Sequence, residues 1–134
     1  MKLKYDAKWK HLNVRQERSF DYIENVKEEQ GKSFIKWFDT YMCKPKYKKA
    51  IFKISVPNGY EDISGYRICG TDYVVHKTWG VKAPNCWSVT HYPTGLLIGS
   101  PGGSRQNIID NCVRQFYKIF VNPEITHKCK IINQ

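Results

Sequence analysis

Five lysines, Lys44, Lys46, Lys48, Lys49 and Lys53, fall in a stretch from Thr40 to Tyr60 that holds no Asp or Glu. Tyr47 stands among them, in the run Lys44-Pro45-Lys46-Tyr47-Lys48-Lys49. Ammonium groups clustered without acidic partners leave positive potential uncompensated, which suits contact with phosphate backbones or another acidic surface. Such contacts provide affinity but carry no base information. The run precedes a strand-like segment and is expected to cross the surface as a link.

A second acid-free segment, Tyr73 to Ile109, carries Lys77, Lys82 and Arg105 with His76 and His91. Lys77 and Arg105 are read as a second basic patch. The segment includes Gly99-Ser100-Pro101-Gly102-Gly103-Ser104-Arg105, glycine-rich and leading into an expected helix. Free N–H groups at such a helix start can hold an anion. The spacing matches neither GxxxxGK(S/T) nor GxGxxG, so a plain sheet-to-helix connection is the preferred reading.

His76, His91, Lys77, Tyr92 and Arg105 raise the question of catalysis. A histidine beside Lys or Arg can cleave RNA without a metal, by acid–base work and phosphate stabilisation. His76 and His91 belong to different expected strands, and the nearby acids form no metal-nuclease pattern. No Ser or Cys lies in a nucleophile signature. No catalytic residue is assigned.

The cysteines, Cys43, Cys69, Cys86, Cys112 and Cys129, are odd in number and include no CxxC pair. The missing CxxC pair argues against a zinc ribbon or knuckle, and the odd count against a disulfide framework. His127-Lys128-Cys129 is the one short metal-like spacing, and it is too small a donor set to assign. Cys112 on a helix face, and Cys69 and Cys86 in strand-like runs, read as small buried hydrophobes in a reducing cytosol. No metal and no cofactor is expected.

Over its 134 residues the chain carries 22 Lys+Arg against 12 Asp+Glu, hence +10. Residues 1–60 hold 14 basic and 7 acidic groups, hence +7, and residues 61–134 hold 8 and 5, hence +3. Apolar residues are 41% and aromatics 14%, which excludes a solvating disordered tail. No apolar run approaches the ~20 residues that span a bilayer, and Met1 to Asp6 lacks the apolar core of a secretory signal. A single α+β domain over 1–134 is expected.

The elements that must position these residues follow from periodicity. Tyr5, Trp9 and Leu12 permit an opening helix. Phe20, Ile23 and Val26 predict another, with Ser19 as N-cap and Gly31 as its stop. Phe34, Trp37, Phe38 and Tyr41 recur at helical spacing after Ser33, another N-cap, and Pro45 closes that helix. Core packing is preferred for these rings over a base-stacking platform. The helical part therefore covers about 1–43.

From about 48 to 99 the period is that of strands. Ala50–Val56 alternates and stops at the turn Pro57-Asn58-Gly59. Tyr66 and Ile68, with Gly70 a candidate continuation, begin a second strand; Tyr73–Trp79 is a third, Cys86–Tyr92 a fourth, and Leu96–Ile98 pairs back as a hairpin. An antiparallel sheet of about four or five strands results. A C-terminal helix over about 104–120, capped by Ser104, carries the apolar stripe of Ile108, Ile109, Cys112, Val113, Phe116, Ile119 and Phe120, and is expected to pack on the sheet. In the tail, 121–134, Lys130-Ile131-Ile132 is a candidate edge strand.

Lysine outnumbers arginine 17 to 5. With the order helices, short sheet, final helix, and the stretch from Trp87 to Leu96 before that helix, the chain resembles small accessory proteins of bacterial phages. Anti-CRISPR and related anti-defence proteins are among these. The resemblance covers under half the chain, transfers no site, and implies a viral inhibitor acting in a bacterial cytoplasm.

Three functions are therefore weighed. The leading one is a non-catalytic basic protein that engages nucleic acid or a nucleic-acid–protein complex. Its contacts would be Lys44, Lys46, Tyr47, Lys48, Lys49, Lys53, Lys77 and Arg105. The second is a phage-type inhibitor that blocks a host nucleic-acid-processing or defence protein. The third is a small metal-independent RNase. No membrane partner is expected.

Overall fold

The computed structural model describes residues 12–133. The opening helix expected over Tyr5 to Leu12 lies outside these residues, apart from Leu12, which is buried. The class is α+β, with five helices and one five-stranded antiparallel sheet among the described residues.

Helix α1 (Val14–Asp21) begins with a reciprocal cap. Asn13 Oδ1 accepts from the Gln16 N–H at 2.8 Å, and Gln16 Oε1 accepts from the Asn13 N–H at 3.0 Å. Ser19 is therefore not an N-cap: it sits inside α1 and donates back to Arg15 O at 2.9 Å. Nor does Gly31 stop the helix. The chain turns earlier, at Asn25, which adopts a left-handed φ of 59° that Asn tolerates better than most residues. Helix α2 (Glu28–Tyr41) then takes in both Gly31 and Ser33, with Glu28 and Glu29 complementing the positive end of its first turn.

The aromatic stripe of α2 packs as core. Phe34 and Phe38 are fully buried, and the Phe20 and Phe38 ring centroids lie 5.1 Å apart. Fully burying a side chain of this size stabilises the fold by roughly 1.5–3 kcal/mol.

The sheet is a meander of β1 (Tyr47–Val56), β2 (Gly59–Ile68), β3 (Tyr73–Lys77), β4 (Trp87–His91) and β5 (Leu96–Gly99), in that spatial order. β1 and β2 pair along their whole lengths across the expected turn. Gly70 is not a strand residue but turns at φ +82°. One sheet face meets the helices: Ile68, Tyr73, Val75 and Val89 join the main core, and Phe116 meets Tyr73 edge-to-face with ring centroids 4.6 Å apart. The other face curls around its own small cluster of Phe52, Ile54 and Val74.

The curl brings the two edge strands together, since the Ser55 N–H donates to Gly95 O at 3.1 Å. Gly95 turns at φ +69°, and a Cβ there would meet Ile132 and the Lys53 carbonyl. The tail does not add a strand. Ile132 and Asn133 instead donate to Pro93 O at 2.8 and 3.1 Å, strapping the chain across this closure.

The expected C-terminal helix is two helices, α3 (Arg105–Asn111) and α4 (Val113–Val121). They part at Cys112, whose N–H is shared between the Ile108 and Ile109 carbonyls at 3.1 Å each. Ser104 caps α3 by accepting from the Asn107 N–H at 3.2 Å. α4 packs on α2 through Phe34 and Tyr117, 5.2 Å apart. A short α5 (Glu124–His127) follows. Among the described residues no helix is long and apolar enough to cross a membrane.

Candidate polyanion-binding surface

Strand alternation decides where each basic residue points. The lysine-rich run is not a loop, because β1 already begins at Tyr47. Successive residues of a strand face opposite sides, so its lysines cannot all share one surface. Tyr47, Lys49 and Lys53 lie on the helix-facing side, whereas Lys48, opposite Arg67, lies on the other. Lys44 and Lys46 precede the strand and are exposed. Lys53 Nζ is bound to Asp62 Oδ1 at 3.1 Å, so its charge is already compensated.

Register supplies neighbours that no linear reading joins. Lys49 stands opposite Tyr66, and Lys77 opposite Trp87. All four side chains line one shallow depression of about 220 Å³, which continues over Ser64 and Gly65. Ile51, on the same face of β1 as Lys49, is 75% exposed.

Arg105 completes the group. The loop before it is fastened to β4 by two backbone bonds, Trp87 N–H to Gly103 O at 3.1 Å and Gly102 N–H to Trp87 O at 2.9 Å. This delivers the first residue of α3 onto three rings from three strands. The guanidinium carbon lies 4.6 Å from the Tyr47 ring centroid, 5.0 Å from Tyr66 and 5.5 Å from Trp87. Such contacts contribute about 0.5–1 kcal/mol each when partly exposed. Burial pushes the Tyr47 hydroxyl pKa up, with Arg105 opposing, so the phenol stays a neutral donor. Among the described residues, no carboxylate pairs with Lys49, Lys77 or Arg105.

Of the eight residues singled out from the sequence, Tyr47, Lys49, Lys77 and Arg105 meet here. Tyr66 and Trp87 belong to the same surface and were not singled out, because only cross-strand pairing places them beside the cations. The glycine-rich loop spends its Gly102 N–H on β4 and is a connection with a Ser104 cap.

The histidines do not converge. His91 is opposite Tyr73 in the register, while His76 is three residues further along β3, so the two occupy opposite faces. Both are buried, and burial lowers both pKa values. His91 Nδ1 bonds Thr94 Oγ1 at 2.8 Å. Tyr92 lies under Arg67, 4.4 Å from the guanidinium carbon, and away from Arg105.

All five cysteines are free, and their placement corrects the uniform buried reading. Cys112 is buried, but Cys69 is exposed and Cys86 half-buried, because Cys69 falls in the turn after β2 and Cys86 just before β4. Burial pushes the thiol pKa of Cys43 and of Cys112 up to about 12. No group of three or more His, Cys, Asp or Glu among the described residues is arranged to hold a metal ion.

No family model matches the chain, and neither a curated protein nor a solved structure matches it.

Proposed function

We propose that this chain is a non-catalytic nucleic-acid-binding protein whose contact surface is the Lys49, Lys77 and Arg105 triad set among Tyr47, Tyr66 and Trp87. The observation that carries this reading is Arg105 over three aromatic rings, flanked by two lysines that no described carboxylate neutralises. Cations on a ring-lined depression suit a single strand, with phosphates on the ammonium groups and a base against Tyr66 or Trp87. Arg105 is half-buried and fixed, so little side-chain freedom is lost when it takes a phosphate. The five free thiols suit a reducing cytoplasm, the location proposed with this function.

The test is fluorescence anisotropy with a labelled single strand of about 15 nucleotides over a salt series. Three phosphate contacts on a single strand give a log–log slope of roughly −2. Lys49→Glu with Lys77→Glu should weaken binding at least tenfold and flatten that slope. Affinity indifferent to salt and to these substitutions overturns the proposal. Failure to bind any oligonucleotide, with tight capture of one protein from nuclease-treated extract, would replace it with the phage-type inhibitor.

A further inference from the structure

The curl of the sheet leaves a cavity of about 300 Å³ on the face turned away from the helices. This volume is at the small end of the range for ligand sites. Ile54, Val56 and Leu97 form apolar walls and Trp79 lines the rim, where its indole N–H donates to Glu61 Oε2 at 2.6 Å. Among the described residues, no Lys, Arg, Asp or Glu side chain lines it.

Its polar lining has a defined sense. Thr78, Ser88 and Ser100 close a ring of hydroxyls, with Oγ–Oγ distances of 2.6 Å (Thr78–Ser88), 2.6 Å (Ser88–Ser100) and 3.1 Å (Thr78–Ser100). A hydroxyl has one proton and two lone pairs, so a closed ring uses every proton and leaves one acceptor pair on each oxygen. Thr90 behaves alike. His76 Nδ1 is 2.9 Å from Lys77 O, a carbonyl that can only accept, so Nδ1 carries the proton. Burial disfavours a second proton on the ring. Nε2 is then an acceptor and takes the Thr90 hydroxyl proton over 2.7 Å. The Thr90 oxygen keeps both lone pairs.

We infer that this cavity is a small-molecule site for an uncharged amino-substituted heteroaromatic of about nucleobase size. The hydroxyl oxygens accept from the ligand's amine, and the flat body lies between the aliphatic walls. The Glu61 carboxylate at the rim accepts from the Trp79 N–H and does not line the cavity, so a cation inside would gain acceptors but no direct counter-ion, in a chain of net charge +10. An apolar ligand of the same shape would strip water from the acceptors without replacing it. The site is on the sheet face opposite Lys49, Tyr66 and Trp87, so it stands independently of nucleic-acid binding.

The experiment titrates ¹⁵N-labelled protein with adenine, 6-methylpurine and benzylammonium, following the Thr78, Ser88 and Thr90 amides and the Trp79 indole N–H. Adenine should produce saturating shifts at these signals, and 6-methylpurine should bind at least tenfold more weakly. Thr78→Val and Ser100→Ala should each weaken adenine several-fold while leaving the dispersion of the spectrum intact. The comparison of ligands on the unmodified protein stands even if a variant fails to fold. Absent or scattered shifts, equal binding of 6-methylpurine, or stronger binding of benzylammonium each overturn the assignment.

Discussion

The side-chain amide of Asn133 pairs with both backbone polar groups of Lys53, 80 residues away in sequence. Its Oδ1 accepts from the Lys53 N–H at 2.8 Å, and its Nδ2 donates to the Lys53 carbonyl at 2.8 Å. The same Nδ2 reaches Tyr92 O at 2.7 Å. One side chain thus imitates a neighbouring strand at the edge of β1, where unpaired backbone groups would otherwise invite another chain.

Removing that clamp should cost stability without touching the core. Asn133→Ala is expected to lower the unfolding free energy by about 1–3 kcal/mol through its two bonds to Lys53 alone, since each net hydrogen bond contributes roughly 0.5–1.5 kcal/mol. Urea unfolding followed by tryptophan fluorescence measures this. An unchanged midpoint would show that the strap adds nothing to the closure between β1 and β5.

Arg105 offers a separation of charge from stacking. Arg105→Ala is expected to reduce stability by about 1.5–3 kcal/mol through the three lost ring contacts. Arg105→Lys keeps the charge but not the planar guanidinium, so stability should fall nearly as far while oligonucleotide affinity is partly retained. Urea midpoints and anisotropy on the same samples check the split.

The buried imidazoles set a pH dependence. Burial lowers the folded-state pKa of His76 and His91 from the ordinary 6.5, so the unfolded chain binds protons more readily than the folded one. Stability from these groups is complete above about pH 6.5 and is lost as pH falls through that value toward the lowered folded pKa. The urea midpoint is expected to drop between pH 7 and pH 5. His76→Gln, which cannot titrate, should shallow that slope; a midpoint flat across the range would contradict it.

The thiols should divide by reactivity. Exposed Cys69 is expected to be alkylated by iodoacetamide in the native state, whereas buried Cys112, with its pKa pushed up to about 12, reacts only after unfolding. Peptide mass spectrometry after a timed pulse reads both sites at once.

Much of the architecture is legible in the chain before any folding is considered. The stripe of Phe34, Trp37, Phe38 and Tyr41 declares a helix, and Pro57-Asn58-Gly59 declares a hairpin turn, because each signal is complete within a few residues. β2 is less legible along Glu61 to Ser64. Those positions are exposed or half-exposed and show no alternation, and they are strand because β1 pairs with them. Helix boundaries also escape local reading: Gly31 and Ser33 look like a stop and a start, yet Asn25 provides the turn and α2 absorbs both. The break at Cys112 is likewise silent in an unbroken apolar stripe.

Periodicity and composition suffice for the α+β class, the hairpins and the excess of positive charge with its bias toward the first 60 residues. How that charge is distributed over the surface depends on folding. Period-two alternation sends Lys48 to one face and Lys49 to the other, Asp62 neutralises Lys53, and antiparallel register sets Lys49 against Tyr66 and Lys77 against Trp87. The lysine-rich run is therefore divided between the two faces of the sheet. The surface proposed for binding is a cross-strand assembly of Lys49, Lys77 and Arg105, because neighbours in a sheet are chosen by pairing rather than by distance along the chain.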